Sequence, residues 1–176
     1  MNTSMAMGLS SLIMLGIAGF APAKRPTVRP APAEASFYLA EMHGGDIHAS
    51  PRGTARFGWV GGDDGARVFT LSLGADDADG SVLFTRMNGA PLVPGTYAIS
   101  GRDDGSDEIR ALVMTGSASH PTGVFRGQSG YLIVTSATDK VIEGRFQIDA
   151  RGFLAANPAD ENRPMRTTAM FTATRD

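Results

Sequence analysis

From Ser36 onward, polar and apolar residues alternate with a period of two over much of the chain, the spacing that turns one face of a β-strand to a core and the other to water. Ala55, Phe57 and Trp59 alternate with Arg56 and Gly58, and Phe69, Leu71 and Leu73 alternate with Thr70 and Ser72. The cleanest run sets Ile142, Gly144, Phe146, Ile148 and Ala150 against Glu143, Arg145, Gln147 and Asp149, a half-buried strand with a fully polar outer face. Between such runs stand Gly61-Gly62-Asp63-Asp64-Gly65, residues 76–80, Asn88-Gly89, Asp103-Asp104-Gly105 and Thr138-Asp139. Gly, Asn and Asp tolerate the backbone geometry of tight turns, so these clusters mark the ends of strands. The pattern predicts an all-β fold over residues 36–176: an antiparallel β-sandwich or partly open barrel of about nine to ten strands. Within it, GYLIVTSATDKVIEGRF (residues 130–146) reads as a hairpin that turns at 137–140. Asn157-Pro158-Ala159-Asp160-Glu161 is the one helical signal in the domain, a possible N-cap with proline at the first helical position, worth one turn before a last strand over 165–174.

The first 35 residues break the pattern. Residues 9–20, LSSLIMLGIAGF, form an uncharged apolar run followed by Ala21-Pro22-Ala23, the small-x-small form of a signal-peptidase site. A dozen apolar residues fall short of the roughly 20 that span a bilayer, so residues 1–23 are expected to be a cleaved signal peptide. The stretch before the apolar run has no Lys or Arg, while Lys24, Arg25 and Arg29 follow it. By the positive-inside tendency the alternative is an uncleaved inner-membrane anchor. Residues 24–35, with Pro26, Pro30 and Pro32, read as a semi-rigid spacer of polyproline character. The expected location is periplasmic or secreted, with no stable membrane span after cleavage.

Composition narrows the chemistry. Among 176 residues there is no cysteine, which excludes disulfides, thiolate metal sites, a cysteine nucleophile and a lipid-bearing cysteine. The formal charge of −2 makes nucleic acid a poor partner. The chain contains no G-x-S-x-G elbow, H-E-x-x-H pair or phosphate-cradling glycine loop. Glu143 and Asp149 share an outer strand face but stand six residues apart, about 20 Å along it, too far for a hydrolytic carboxylate pair. The expectation is a non-catalytic protein.

Four segments occur in order: Pro94-Gly95-Thr96-Tyr97-Ala98-Ile99, Gly130-Tyr131-Leu132-Ile133-Val134-Thr135-Ser136, Ile142-Glu143-Gly144-Arg145-Phe146-Gln147-Ile148-Asp149-Ala150 and Thr168-Ala169-Met170-Phe171-Thr172-Ala173. Together they resemble the small secreted or lipoprotein β-domains of unknown function found in bacterial cell envelopes. The likeness covers about the last 85 residues. It departs from those domains in lacking a lipobox cysteine and in having Ala169 and Met170 where glycine is usual. The resemblance implies a fold and a compartment, and no activity.

Three sets of residues carry candidate chemistry. His43-Gly44-Gly45-Asp46-Ile47-His48, if a hairpin, opposes His43 and His48 at about 5 Å on one face, within reach of a shared zinc ion; Glu41, Asp46 or His120 are the available further ligands. Asp76, Asp77 and Asp79 on one loop, and Asp103, Asp104 and Asp107 on another, supply hard oxygen ligands for weak calcium binding if a meander brings both loops to one end of the domain. Tyr38, Trp59, Tyr97 and Tyr131 are candidate sugar-stacking aromatics, although the register of Trp59 with Phe57 and of Tyr97 with Ile99 favours core packing for those two. The bland reading of all three is turn residues, solubilising acids and core. The functional expectation is an exported, non-catalytic β module with a binding or structural role in the cell envelope, toward an unknown envelope component or ligand and with no cofactor beyond weak calcium. The alternatives are a lipocalin-like small-molecule carrier and a weak, calcium-assisted glycan-binding module.

Overall fold

In a computed structural model of the chain, residues 36–44, 47–61, 65–74, 80–102, 108–117, 120–155 and 162–176 are described. The expected signal peptide, the spacer, the one-turn helix at 157–161 and both acidic loops lie outside them. The described residues form strands and no helix: β1 (Phe37–Gly44), β2 (Ile47–Ala49), β3 (Arg52–Gly53), β4 (Ala55–Gly61), β5 (Arg67–Leu73), β6 (Gly80–Arg86), β7 (Gly95–Ala98), β8 (Arg110–Ser117), β9 (His120–Ala137), β10 (Val141–Ala155) and β11 (Pro164–Arg175). All belong to a single sheet in the order β10-β9-β8-β6-β5-β4-β11-β1-β2, with β10 also pairing β11, so the sheet curls into a ring. The pairing is antiparallel except where β11 meets β4 through two parallel residue pairs, Thr174 with Arg56 and Arg175 with Phe57. That junction is the weakest ladder in the ring, and the architecture fits an open barrel or a sandwich whose faces join at their edges. The Ser36 hydroxyl secures it from the side by hydrogen bonding both the N–H and the carbonyl of Ala55.

The sequence alternation sets the two faces of this sheet. On β10, Ile142, Phe146, Ile148 and Ala150 are buried, while Glu143, Arg145, Gln147 and Asp149 are more open to solvent. The 130–146 hairpin is present, and it is only the tip of a much longer one: β9 and β10 pair from Ile142–Ala137 down to Ala155–Gly123. Its turn is locked locally, because the Thr138 hydroxyl accepts from the N–H groups of Lys140 and Val141 at 3.2 and 2.9 Å.

One feature of the topology escapes the local pattern. β7 and β8 run in the same direction along the same edge of β9: Gly95 to Ala98 pair with Val134 to Tyr131, and Leu112 to Ser117 with Arg126 to His120. Ile99 bridges Ile109 in parallel where they meet. They lie end to end as two halves of one strand, with residues 100–108 between them in the chain. With that strand counted once, and the short β2 and β3 set aside, the ring is an up-and-down meander. The expectation of about nine to ten strands is met, among the described residues, by eleven segments of unequal length.

The interior is packed across its width. Phe84 on β6 meets Phe146 on β10 edge to face with centroids 4.9 Å apart, although two strands separate them along the sheet. At another level Met42 of β1 reaches the backbone of β6, where a Cβ on Gly80 would come within 3.0 Å of the Met42 sulfur. Phe171 lies 6.4 Å from Phe146 between these walls. Among the described residues Tyr38 is the one large polar exception: its ring is buried and its hydroxyl has no hydrogen-bond partner among them, and burial raises its pKa above the ordinary phenol value. Removing an unpaired buried hydroxyl removes a desolvation cost. Tyr38→Phe is therefore expected to leave stability unchanged or raise it by about 1 kcal/mol in urea unfolding; a loss larger than that would show a hidden partner for the hydroxyl.

Candidate functional site

The antiparallel registers align residues into rows across the outer face of β1, β11, β10 and β9. Facing residues in adjacent strands point to the same side of a sheet. The first row is polar: His48, His43, Arg166, Asp149 and Ser129. The second reads Glu41, Thr168, Gln147, Tyr131 and Ala98. The third reads Leu39, Met170, Arg145, Ile133 and Thr96.

The polar row borders a groove of about 480 Å³ lined by His43, Gln128, Ser129, Asp149, Arg151 and Arg166, among others. Its central contact is an ion pair, in which Arg166 Nε donates to Asp149 Oδ1 at 2.7 Å. Both side chains are open to water, where such a pair is worth little on its own, so it orders the groove more than it stabilises the fold. At the edge of the row the two histidines stand as expected from the sequence. They are register partners across β1 and β2, with ring centroids 5.5 Å apart and Nδ1 atoms 3.3 Å apart. Glu41 approaches the far side of His43, Oε2 to Nε2 at 3.7 Å. Asp46 lies outside the described residues, and His120 stands at the start of β9 opposite Ser117. No group of three or more His, Asp or Glu side chains is placed to hold a metal ion among the described residues.

The second and third rows border a separate groove of about 320 Å³ lined by Leu39, Glu41, Tyr131, Arg145, Thr168 and Met170, among others. Its apolar members are open to solvent: Leu39 by 47%, Met170 by 56% and Tyr131 by 39%, with Phe37 exposed nearby on β1 by 43%. An apolar cluster spread over neighbouring strands is a mark of a contact surface, whereas single exposed apolar residues are ordinary. Alternation alone does not reveal it. The signal for it lies in two unbroken apolar stretches, Phe37-Tyr38-Leu39-Ala40 and Ala169-Met170-Phe171, which supply apolar groups to both faces of their strands.

The remaining sequence candidates are dispersed. The six calcium-candidate aspartates lie outside the described residues. The strands that anchor their loops bear on the premise that the loops share an end: Gly80, after the first loop, pairs with Thr115, whereas Arg110, after the second, lies opposite Thr85. These anchors are five residues apart along β8, about 17 Å. Trp59 is half-buried, as its register predicts; its indole N–H donates to the Gly89 carbonyl at 2.8 Å, and the Arg67 and Arg175 guanidiniums lie 5.5 and 5.2 Å from its ring. Tyr97 is tied to Val93 through its hydroxyl. Tyr38 is core, and Tyr131 alone of the four opens onto the outer face.

Comparison with protein-family models, with curated proteins and with solved structures finds no match for the chain. Among the described residues no helix is long and apolar enough to cross a membrane.

Proposed function

We propose that the protein is an exported, non-catalytic β module of the bacterial cell envelope that binds a protein partner through the outer face of β1, β11, β10 and β9. The observation that carries this reading is the in-register row of Leu39, Met170, Arg145 and Ile133, with Tyr131 and Glu41 in the next row. It combines exposed apolar area with one cationic and one anionic side chain, the mixture that characterises non-obligate protein interfaces. A rigid core behind it supports a scaffold role. Membership of the envelope β-domains remains part of this proposal and rests on the four ordered sequence segments.

Two alternatives compete. The up-and-down order is also that of a lipocalin-like carrier, but a carrier needs an open interior, and the Phe84–Phe146 and Met42–Gly80 contacts fill the interior at two levels. A glycan-binding module needs aromatics side by side, and the exposed Phe37 and Tyr131 stand on β1 and β9, with β11 and β10 between them.

Photo-crosslinking in intact cells tests the proposal. A photoreactive residue at Met170 is expected to give a discrete light-dependent adduct with an envelope protein, and Leu39→Glu in the same chain is expected to reduce it at least about tenfold, since a charge buried against a partner is costly. The same probe at Ser72, exposed on β5, is expected to give none. Absence of an adduct at Met170, or the same adduct from Ser72, would remove the reading.

A further inference from the structure

The opposed histidines have a geometry that the outer-face reading does not use. Two imidazoles with Nδ1 atoms 3.3 Å apart can coexist in two ways: one donates its N–H to the lone pair of the other, or both lone pairs share one cation. The separation discriminates among cations. Two nitrogens bound at about 2.0–2.1 Å to a tetrahedral zinc ion stand about 3.3–3.4 Å apart. Adjacent nitrogens at a similar distance on a square-planar ion stand only about 2.8 Å apart. The observed span is the tetrahedral one.

Glu41 adds an independent element. Its Oε2 lies 3.7 Å from His43 Nε2, on the side of the ring away from the nitrogen that faces His48. A proton on Nε2 leaves Nδ1 with its lone pair, and Nδ1 is the atom that faces His48. Carboxylate, imidazole and facing nitrogen stand in the order found where a carboxylate fixes the tautomer and orientation of a histidine ligand to zinc. The backbone holds the arrangement: β1 is paired along its other edge with β11, including His43 with Arg166, and along this edge with β2.

The geometry points to a zinc-binding site in which His43 and His48 ligate through Nδ1 and Glu41 positions His43 from behind. Two coordination positions are left for water or for donors from another molecule, and both histidines lie on the exposed side of the sheet. The site therefore takes up and releases its ion readily, unlike a closed structural site with four protein ligands.

Equilibrium dialysis of the full chain against Zn²⁺, in protein purified without a histidine tag, provides the test. Wild-type protein and His120→Ala are expected to bind one Zn²⁺ per chain at this site. His43→Ala and His48→Ala should each weaken binding more than about tenfold, and Glu41→Gln about tenfold, the lower end of the effect of a partner that supports a metal ligand. The Co²⁺-substituted protein should show the intense visible absorption of a four-coordinate ion, and His48→Ala should abolish it. Both histidines are exposed, so metal-free variants should unfold at the wild-type temperature. Failure of the wild-type chain to bind stoichiometric zinc, or zinc binding by His48→Ala as tight as wild type, overturns the site.

Discussion

Phe146→Ala is expected to destabilise the domain by about 3–5 kcal/mol, the usual cost of truncating a fully enclosed phenylalanine. Phe146 stands where the two sides of the ring meet: its ring contacts Phe84 from β6 and lies beside Phe171 from β11, and it is almost wholly buried. Alanine would leave a void between rings carried by different strands, and the surrounding sheet cannot collapse to fill it without breaking ladders on both sides. A domain of this kind has only about 5–15 kcal/mol to lose, so the variant is expected to be marginal or unfolded at growth temperature. Urea unfolding followed through Trp59, the single tryptophan, measures the effect. Its sequence neighbour Arg145 points outward, and Arg145→Ala is expected to change stability by no more than about 0.5 kcal/mol. A cost below about 1 kcal/mol for Phe146→Ala would mean that the interior holds slack, and would favour the alternative of a carrier.

Gly130→Ala is expected to cost about 3 kcal/mol or more, from a change of one methyl group on a half-buried residue. Gly130 has φ = +135°, a region that a residue with a Cβ enters at a cost of about 1–3 kcal/mol. A Cβ there would also collide with the Gln147 carbonyl oxygen and come within 3.1 Å of the Ile148 Cα, both backbone atoms of the paired strand. Side-chain rotation cannot relieve that contact. The position is also where β9 changes partners. The Gly130 carbonyl accepts from the Ile99 N–H at 3.1 Å at the break between β7 and β8, and a register shift between Asp149 and Ala150 leaves Gln128 as the extra residue on β9. Bulges of this kind bend a strand and sharpen its twist, which is how a strand of 18 residues follows the curve of the ring. The expected result is a large drop in melting temperature together with loss of pairing in the β7 segment, visible as faster amide exchange at Ile99. A variant as stable as wild type would show that the bend does not depend on glycine.

These two residues mark different degrees of legibility in the sequence. The inward placement of Phe146 follows from its alternation with Arg145 and Gln147, and the hairpin around it follows from Thr138-Asp139 between two strand-like runs. The opposed histidines were equally legible, because a short glycine turn sets the register of the strands beside it. The need for glycine at position 130 was not. It arises from a carbonyl seventeen residues away and from an edge partner more than thirty residues away.

The strands on either side of the acidic segments show what counting turns leaves out. Counting turns in a meander places alternate loops at alternate ends, and that count assumes that every turn signal ends a strand. Asp103-Asp104-Gly105 instead stands in the chain between β7 and β8, which pair along the same edge of β9. Nothing in the residues themselves distinguishes an excursion from a hairpin turn, because Gly and Asp serve both. The difference lies in whether the chain returns to the same edge of β9.

By itself the sequence determined the β class, the faces of most strands, the β9–β10 hairpin and the pairing of His43 with His48. All of these depend on alternation and on turns, and so on interactions between residues close along the chain. Only the tertiary structure decided that the strands curl into one ring, that β7 and β8 are one interrupted strand, and that Leu39, Ile133, Arg145 and Met170 form one row. Such features require strands distant in sequence to choose neighbours and registers, and that choice is made by the packing of the shared interior, where rings such as Phe84 and Phe146 must meet at a common level.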